Sequence, residues 1–191
     1  MALVSVITAT WQRPRELQRA LDSVGAQTHS PIDHIVVADG HDAEAERICA
    51  GRARYIELGR NWRTYRGVES RGADPRAMGA VLAKGEYIAY LDDDNEWAPT
   101  HLEHALALLE QTNADFVTTQ AWCPSMALVV GDGALALGHV DTSTLVHRAS
   151  CLLKGNWVAI HDPWDDWDLM RRWHEAGLRW EFLPEQTVIH Y

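Results

Sequence analysis

The chain has 191 residues, with 17 Lys and Arg against 27 Asp and Glu, a formal net charge of −10. That balance excludes a general nucleic-acid binder, which needs a cationic surface to displace counterions, and the length suits one domain, residues 1–191, around a single core. Cys49, Cys123 and Cys151 are odd in number and have no CxxC spacing, so neither a disulfide framework nor a thiolate zinc site is expected. The apolar opening Leu3 to Ala9 is too short for a signal segment and no stretch reaches membrane-spanning length, so a cytoplasmic location is expected.

In chain order, Leu3 to Thr8 is β-branched and apolar enough for a buried strand, and Arg13-Pro14 opens a helix with Leu17, Ala20, Leu21 and Val24 at helical spacing. Pro31 interrupts before a second strand, His34 to Ala38, which ends at Asp39-Gly40. Asp42 then caps a helix through Cys49, and Arg54 to Leu58 is a third strand. Gly59 to Asp74, rich in Gly and Arg, reads as a loop. Pro75 starts a helix in which Met78 and Leu82 share one face, and Tyr87 to Leu91 is a fourth strand. This alternation over the first hundred residues implies an α/β fold. Its mostly parallel sheet has helices on both faces and a ligand crevice beyond the carboxyl ends of the strands.

Pro99 and Thr100 start an amphipathic helix with Leu102, Ala105, Leu106 and Leu109 on one face, and Asp115 to Thr119 is another strand. Between Ser125 and Val140, the runs MALVV and ALAL around Gly131-Asp132-Gly133 signal a hairpin, hence a small antiparallel addition. Thr142 to Val146 is a short strand. A helix from Asp165 or Asp166, with Leu169, Met170, Trp173 and Ala176, stops at Gly177, and Arg179 to Leu183 and Thr187 to Tyr191 are short terminal strands. A change of role falls near residue 112, between a donor-binding half, 1–112, and an acceptor-binding half, 113–191.

The stretch that carries most chemistry is Glu86 to Trp97, EYIAYLDDDNEW, an apolar strand that delivers Asp92, Asp93 and Asp94 into a loop. Stacked carboxylates repel one another and cannot be buried unpaired, so a positive partner is expected there, a divalent cation being the natural candidate; the competing reading is a solvated or helix-capping triplet. Thr8, Ala9, Thr10, Trp11, Arg13 and Asp39 fall at other strand ends facing the same crevice.

Four ordered blocks, VSVITATWQRPRELQRALDSVGAQTH, HIVVADG, PRAMGAVLAKGEYIAYLDDDNEWAPTHLE and DDWDLMRRWHEAGLRW, resemble the family 2 glycosyltransferases of the GT-A fold, over nearly the whole chain. The resemblance implies a sugar transferase that uses a nucleotide-sugar donor and Mn²⁺ or Mg²⁺, with Asp92-Asp93-Asp94 as the DxD motif. Asp94 would be the direct metal ligand, Asp92 a donor ribose or supporting group, and Asp93 the variable middle. His190 occupies the place of a late histidine that reaches the metal. Thr8 and Asp39 match positions that hold the nucleoside, and Arg76 an arginine near the donor. Asp165-Asp166 aligns with an acceptor-side acidic pair whose second member is the base in inverting enzymes. The chain departs from the family at Arg76-Ala77-Met78-Gly79, where Asn usually follows the Arg, and at Trp11-Gln12, where Tyr-Asn is common. With Tyr191 as the last residue, an acceptor site built without the family's frequent C-terminal extensions is expected.

The chemistry supports the same residues. A hard oxygen site with one imidazole suits Mn²⁺ or Mg²⁺. An acceptor hydroxyl needs a base in the transition state, and Asp166 at a helix head fits that role, with Asp162, Asp165 and Asp168 raising its pKa and N-capping by Asp165 as the bland alternative. Trp164 and Trp167 flank Asp166 and either pack on a sugar face or belong to the core; Trp173 and Trp180 are expected in the core. Arg60, Arg63, Arg66 and Arg71 either clamp a diphosphate or are solvated loop charges. The expected partners are the nucleotide sugar and a carbohydrate or other hydroxyl-bearing acceptor, small or lipid-linked, with a homo-oligomer left open. A nucleotidyltransferase is the second reading, although TATWQRPREL lacks its Gly-rich, Lys-containing loop. A catalytically idle nucleotide-sugar binder is the third.

Overall fold

A computed structural model describes residues 1–62, 72–158 and 164–191. Its sheet runs β3-β2-β1-β4-β8-β6-β9-β5, with β7 added to β6. The first four in that order, β3 (Arg54–Glu57), β2 (Ile32–Ala38), β1 (Val4–Thr10) and β4 (Tyr87–Tyr90), are parallel. Beyond β4 the sheet is mixed: β8 (Leu145–Arg148) lies antiparallel between β4 and β6 (Phe116–Cys123), whereas β9 (Trp180–Ile189) runs parallel to β6 and antiparallel to the two-residue β5 (Glu96–Trp97).

The period-2 alternation of strand side chains divides the core between two faces. Tyr87, Ala89 and Leu91 face one way with Val4 and Val6, and there they meet Ala20 and Val24 of α1 (Pro14–Gly25) and Leu102, Ala105, Leu106 and Leu109 of α4 (His101–Thr112). Ile88 and Tyr90 face the other way with Ile7. They pack against Ala73 and Ala80 of α3 (Ala73–Leu82) and against Leu169, Met170 and Trp173 of α5 (Asp165–Glu175). For α1 and α4 the apolar helical positions read from the sequence are the buried ones, as are Leu169, Met170 and Trp173 of α5, whereas Ala176 is exposed.

Helix α2 (Ala43–Cys49) is capped as expected, the Asp42 carboxylate accepting the Ala45 N–H at 3.0 Å. Helix α3 begins at Ala73 rather than Pro75, and Met78 points outward. Its buried residues are instead Ala73, Pro75, Arg76, Gly79 and Ala80, and the helix lies against β1 so closely that a Cβ on Gly79 would stand 2.5 Å from Ile7 Cγ2.

The second half departs from expectation in three places. Strand β7 (Leu128–Val130) pairs back onto β6, Ala121 against Val130, so the hairpin turns at Pro124–Ala127 and the ALAL run forms no strand. Thr142–Thr144 is a 3₁₀ turn rather than a strand, because the Asp141 carboxylate takes the Ser143 N–H at 2.8 Å and closes the chain there. The two short terminal strands are one, β9; its register on β6 jumps from Thr118 opposite Phe182 to Gln120 opposite Gln186, and Pro184, which lacks an N–H for the ladder, sits in the jump.

Candidate active site

Strands β1, β2 and β4 run parallel, so Thr10, Asp39 and Asp92 emerge at one edge of the sheet. The Leu91 N–H still bonds the Ile7 carbonyl at 3.0 Å, after which the chain turns, Asn95 N–H to Asp92 carbonyl, also 3.0 Å. Buried Ser143 braces this turn. Its hydroxyl accepts from the Asp92 N–H at 3.1 Å and from the Asn95 amide at 2.9 Å, while its carbonyl accepts the Trp97 indole N–H at 2.8 Å. Asn95 Oδ1 in turn accepts the Tyr191 N–H at 3.2 Å, tying the acidic loop to the stretch that holds His190.

Each carboxylate of the triplet has a cationic partner, Arg13 being shared by Asp93 and Asp94. Arg76, buried in α3, holds Asp92 through Nη2 and lays its guanidinium 5.1 Å from the centre of the Trp157 ring. Asp93 accepts from the Thr10 hydroxyl at 2.8 Å and from Arg13 at 3.2 Å; burial nevertheless pushes its carboxyl up to about 6. Asp94, about a third exposed, faces Arg13 Nη1 at 2.5 Å. The positive partner that the triplet demanded is thus supplied in this structure by two arginines.

These side chains form one wall of a cleft of about 540 Å³, lined also by Ala9, Trp11, Asp39, Asn61 and His190. Asp39 Oδ1 accepts the Trp62 N–H at 2.9 Å. Trp11 lies against Gly40, whose φ of +113° and close approach to the indole leave no room for a side chain. Thr8 is not in the cleft. It is fully buried behind it with its hydroxyl 3.0 Å from His34 Nε2: it shares a face of β1 with Thr10 but lies one strand repeat further from the carboxyl end, where the cleft opens.

A second pocket, about 480 Å³, adjoins the first, with Arg76, Asp92 and His190 belonging to both. Its other walls are Asp141 and Asp165, Asp166 and Trp164 from the head of α5, with Met126, Leu128 and Val130 from the β6–β7 hairpin. Asp166 Oδ1 accepts the Trp167 N–H at 2.7 Å. Burial pushes the Asp166 carboxyl up to about 7, helped by the charges of Asp141 and Asp92 and opposed by that N–H and Arg76. Burial therefore prevails, and the Asp141 and Asp92 charges that add to it come from elements other than α5. Asp168 is spent on Arg171 and Arg172, Asp165 is buried without capping the helix, and Asp162 lies outside the described residues. Trp164 is 40% exposed on the pocket, whereas Trp167 is half-buried against the core cluster that contains Trp173. Arg63, Arg66 and Arg71 also lie outside the described residues, and Arg60 stands over the Trp62 ring.

His190 is held by Asp141, Nδ1 to Oδ2 at 2.7 Å, and this contact raises its pKa to about 9. The pairing fixes the ring and directs Nε2 away from Asp141, the arrangement in which a carboxylate orients an imidazole ligand. Among the described residues no group of three or more His, Cys, Asp or Glu side chains is gathered to hold a metal alone. Asp94 and His190 both line the first cleft, and as a carboxylate and an imidazole they would suit a hard cation whose remaining ligands would have to come from outside the protein. Sequence reasoning missed Asp141 and Ser143. The only signal was an Asp preceding Thr-Ser-Thr, the composition of a capped turn.

A mixed α/β sheet with acidic side chains at the carboxyl ends of its parallel strands is the GT-A glycosyltransferase fold, and the comparisons agree. The model of glycosyl transferase family 2 matches residues 5–130, and the chain belongs to that family. An uncharacterized glycosyltransferase of Haemophilus influenzae is 28% identical over 123 residues, 63% of this chain and 40% of its own. The amylovoran biosynthesis glycosyltransferase AmsB of Erwinia amylovora is 28% identical over 109 residues, 56% of this chain and 36% of its own. The chain thus spans about two fifths of the length of these curated relatives. Among solved structures, Staphylococcus aureus TarS 1–349 in complex with UDP-GlcNAc superposes with a TM-score of 0.80 at 17% identity, over 100% of this chain and 58% of that one. The mannosyltransferase PcManGT of Pyrobaculum calidifontis, in complex with GDP-Man and Mn²⁺, gives 0.75 at 14% identity, over 98% and 56%. No helix among the described residues is long and apolar enough to cross a membrane.

Proposed function

We propose that the protein transfers a sugar from a nucleoside diphosphate sugar to a hydroxyl acceptor, in a Mn²⁺- or Mg²⁺-dependent reaction that inverts the anomeric centre by direct displacement. The observation that carries this reading is the position of Asp166, a carboxyl with a pKa near 7, in a pocket that shares Arg76, Asp92 and His190 with the cleft beneath the strand ends. The donor occupies the first cleft, its nucleoside beside Asp39 and Trp11, and the acceptor enters the second past Trp164. Donor and acceptor then meet across their shared wall, with residues 1–112 building most of the donor side and 113–191 most of the acceptor side.

In the displacement the acceptor oxygen bonds to the anomeric carbon as the bond to the diphosphate oxygen breaks. Asp166 takes the acceptor's proton, and a base with a pKa near the working pH combines availability with driving force. Arg76 keeps Asp92 in place between the two substrates. Asp94 and His190 would hold the cation, which when bound would neutralise charge on the departing diphosphate. The complexes of TarS with UDP-GlcNAc and of PcManGT with GDP-Man and Mn²⁺ support a nucleotide-sugar donor. A thermal-shift panel of UDP- and GDP-sugars with and without Mn²⁺ tests the assignment. A donor that binds only the folded state raises the melting temperature, and the rise is expected to need Mn²⁺. No shift with any donor opposes the reading.

A further inference from the structure

Arg13 precedes Pro14 at the head of α1, and its guanidinium reaches into the donor cleft, 3.2 Å from Asp93 Oδ1 and 2.5 Å from Asp94 Oδ2. A side-chain cation therefore sits on the very carboxylate assigned to the metal. The backbone that presents it is specially held. Gln12, just before it, has φ +54°, the left-handed region that a residue with a side chain seldom occupies. The Gln12 N–H donates to Asp42 Oδ2 at 2.8 Å, and the other oxygen of that carboxylate caps α2. This tether and the left-handed residue turn the chain sharply between β1 and α1, setting Arg13 over the acidic loop. The side chain is 52% exposed, so its far end has room to move without disturbing the core.

We propose that Arg13 is the cation a divalent metal must displace from Asp94, and that the released guanidinium then pairs with the donor's diphosphate, so that one side chain couples metal and nucleotide binding. The inference rests on the metal-dependent reading above. A guanidinium and a dication on the same carboxylate oxygen repel each other, so the metal's arrival removes the reason for Arg13 to stay. The planar fork that suits a carboxylate suits phosphate oxygens as well, and the diphosphate brings those to the same wall. The coupling must be reciprocal: nucleotide tightens metal binding by the factor by which metal tightens nucleotide binding.

The test is Mn²⁺ binding to the full chain, followed by the electron paramagnetic resonance of free Mn²⁺ and by calorimetry, alone and with uridine diphosphate or guanosine diphosphate titrated separately. Removing a half-exposed ion-pair partner is expected to make Arg13→Gln bind Mn²⁺ alone up to about fivefold more tightly than the unaltered protein, with the nucleotide's enhancement of Mn²⁺ affinity reduced by a similar factor. Arg13→Lys, which keeps the charge and loses the fork, is expected between the two. Arg13→Gln keeps the backbone Arg13 carbonyl to Leu17 N–H bond that starts α1, and circular dichroism checks the fold. Asp94→Asn is expected to lose Mn²⁺ binding. Loss in Asp94→Asn with equal or weaker binding in Arg13→Gln overturns the exchange alone, whereas Mn²⁺ binding that survives Asp94→Asn overturns the metal reading and the exchange with it.

Discussion

Replacing Asp166 by Asn is expected to make the metal-free protein more stable at alkaline pH while removing its base. The Asp166 carboxyl rises from 3.8 to about 7 on folding, chiefly because burial disfavours its charged form. That is a shift of about three units, and at about 1.4 kcal/mol per unit the ionised side chain costs the folded state at most about 4 kcal/mol, an upper bound because water still reaches the pocket. The sign follows from proton counting. Between pH 3.8 and 7 the folded state holds a proton that the unfolded state has lost, so stability falls as pH rises and levels off above 7. An amide carries no such penalty. In urea denaturation, Asp166→Asn is expected to exceed the wild type by up to about 4 kcal/mol at pH 8.5, and by about 2–3 kcal/mol less than that at pH 5. A gap that is zero or reversed at pH 8.5 would refute the claim that the fold holds this carboxylate at a cost.

Other outcomes follow from the packing around the site. Gly79→Ala places a Cβ 2.5 Å from Ile7 Cγ2 and is expected to cost about 1–3 kcal/mol in a denaturation curve by separating α3 from β1. Ser143→Ala deprives the Asp92 N–H and the Asn95 amide of their acceptor and is expected to cost about 2–4 kcal/mol and to weaken donor affinity in a thermal-shift titration. Arg76→Met strips the Asp92 carboxylate of its buried partner; a loss of about 3–5 kcal/mol is expected, with donor binding lost in calorimetry.

The parallel half of the molecule was legible because its signals are local. Strand runs such as His34 to Ala38 and helical rows such as Leu17, Ala20, Leu21 and Val24 declare their period within one element, and each is buried as its period requires. Helix α3 defeated that reading because its face against β1 is chosen by closeness, so Gly79 and Ala80 are buried and Met78 is not. The second half was harder to read for a related reason. Strand β5 has two residues, too few for any period, and β9 continues through Pro184 because β6 pairs with it both before and after the proline. At the site, Asp39, Asp92, Asp93, Asp94, Asp166 and His190 line two adjoining pockets, while Thr8 is buried one strand repeat behind Thr10. Asp141 and Ser143, which hold His190 and the acidic loop, act through contacts about 50 residues away in the chain. No local pattern encodes such a contact.

The most direct test of the central claim is nuclear magnetic resonance of UDP- and GDP-sugars incubated with the protein, Mn²⁺ and a hydroxyl acceptor, wild type against Asp166→Asn. Release of nucleoside diphosphate with a new glycoside of inverted anomeric configuration is expected, slowed about 10²-fold or more by Asp166→Asn with donor binding intact. Undiminished turnover in Asp166→Asn, or cleavage at the α-phosphate to give a nucleoside monophosphate, would contradict it.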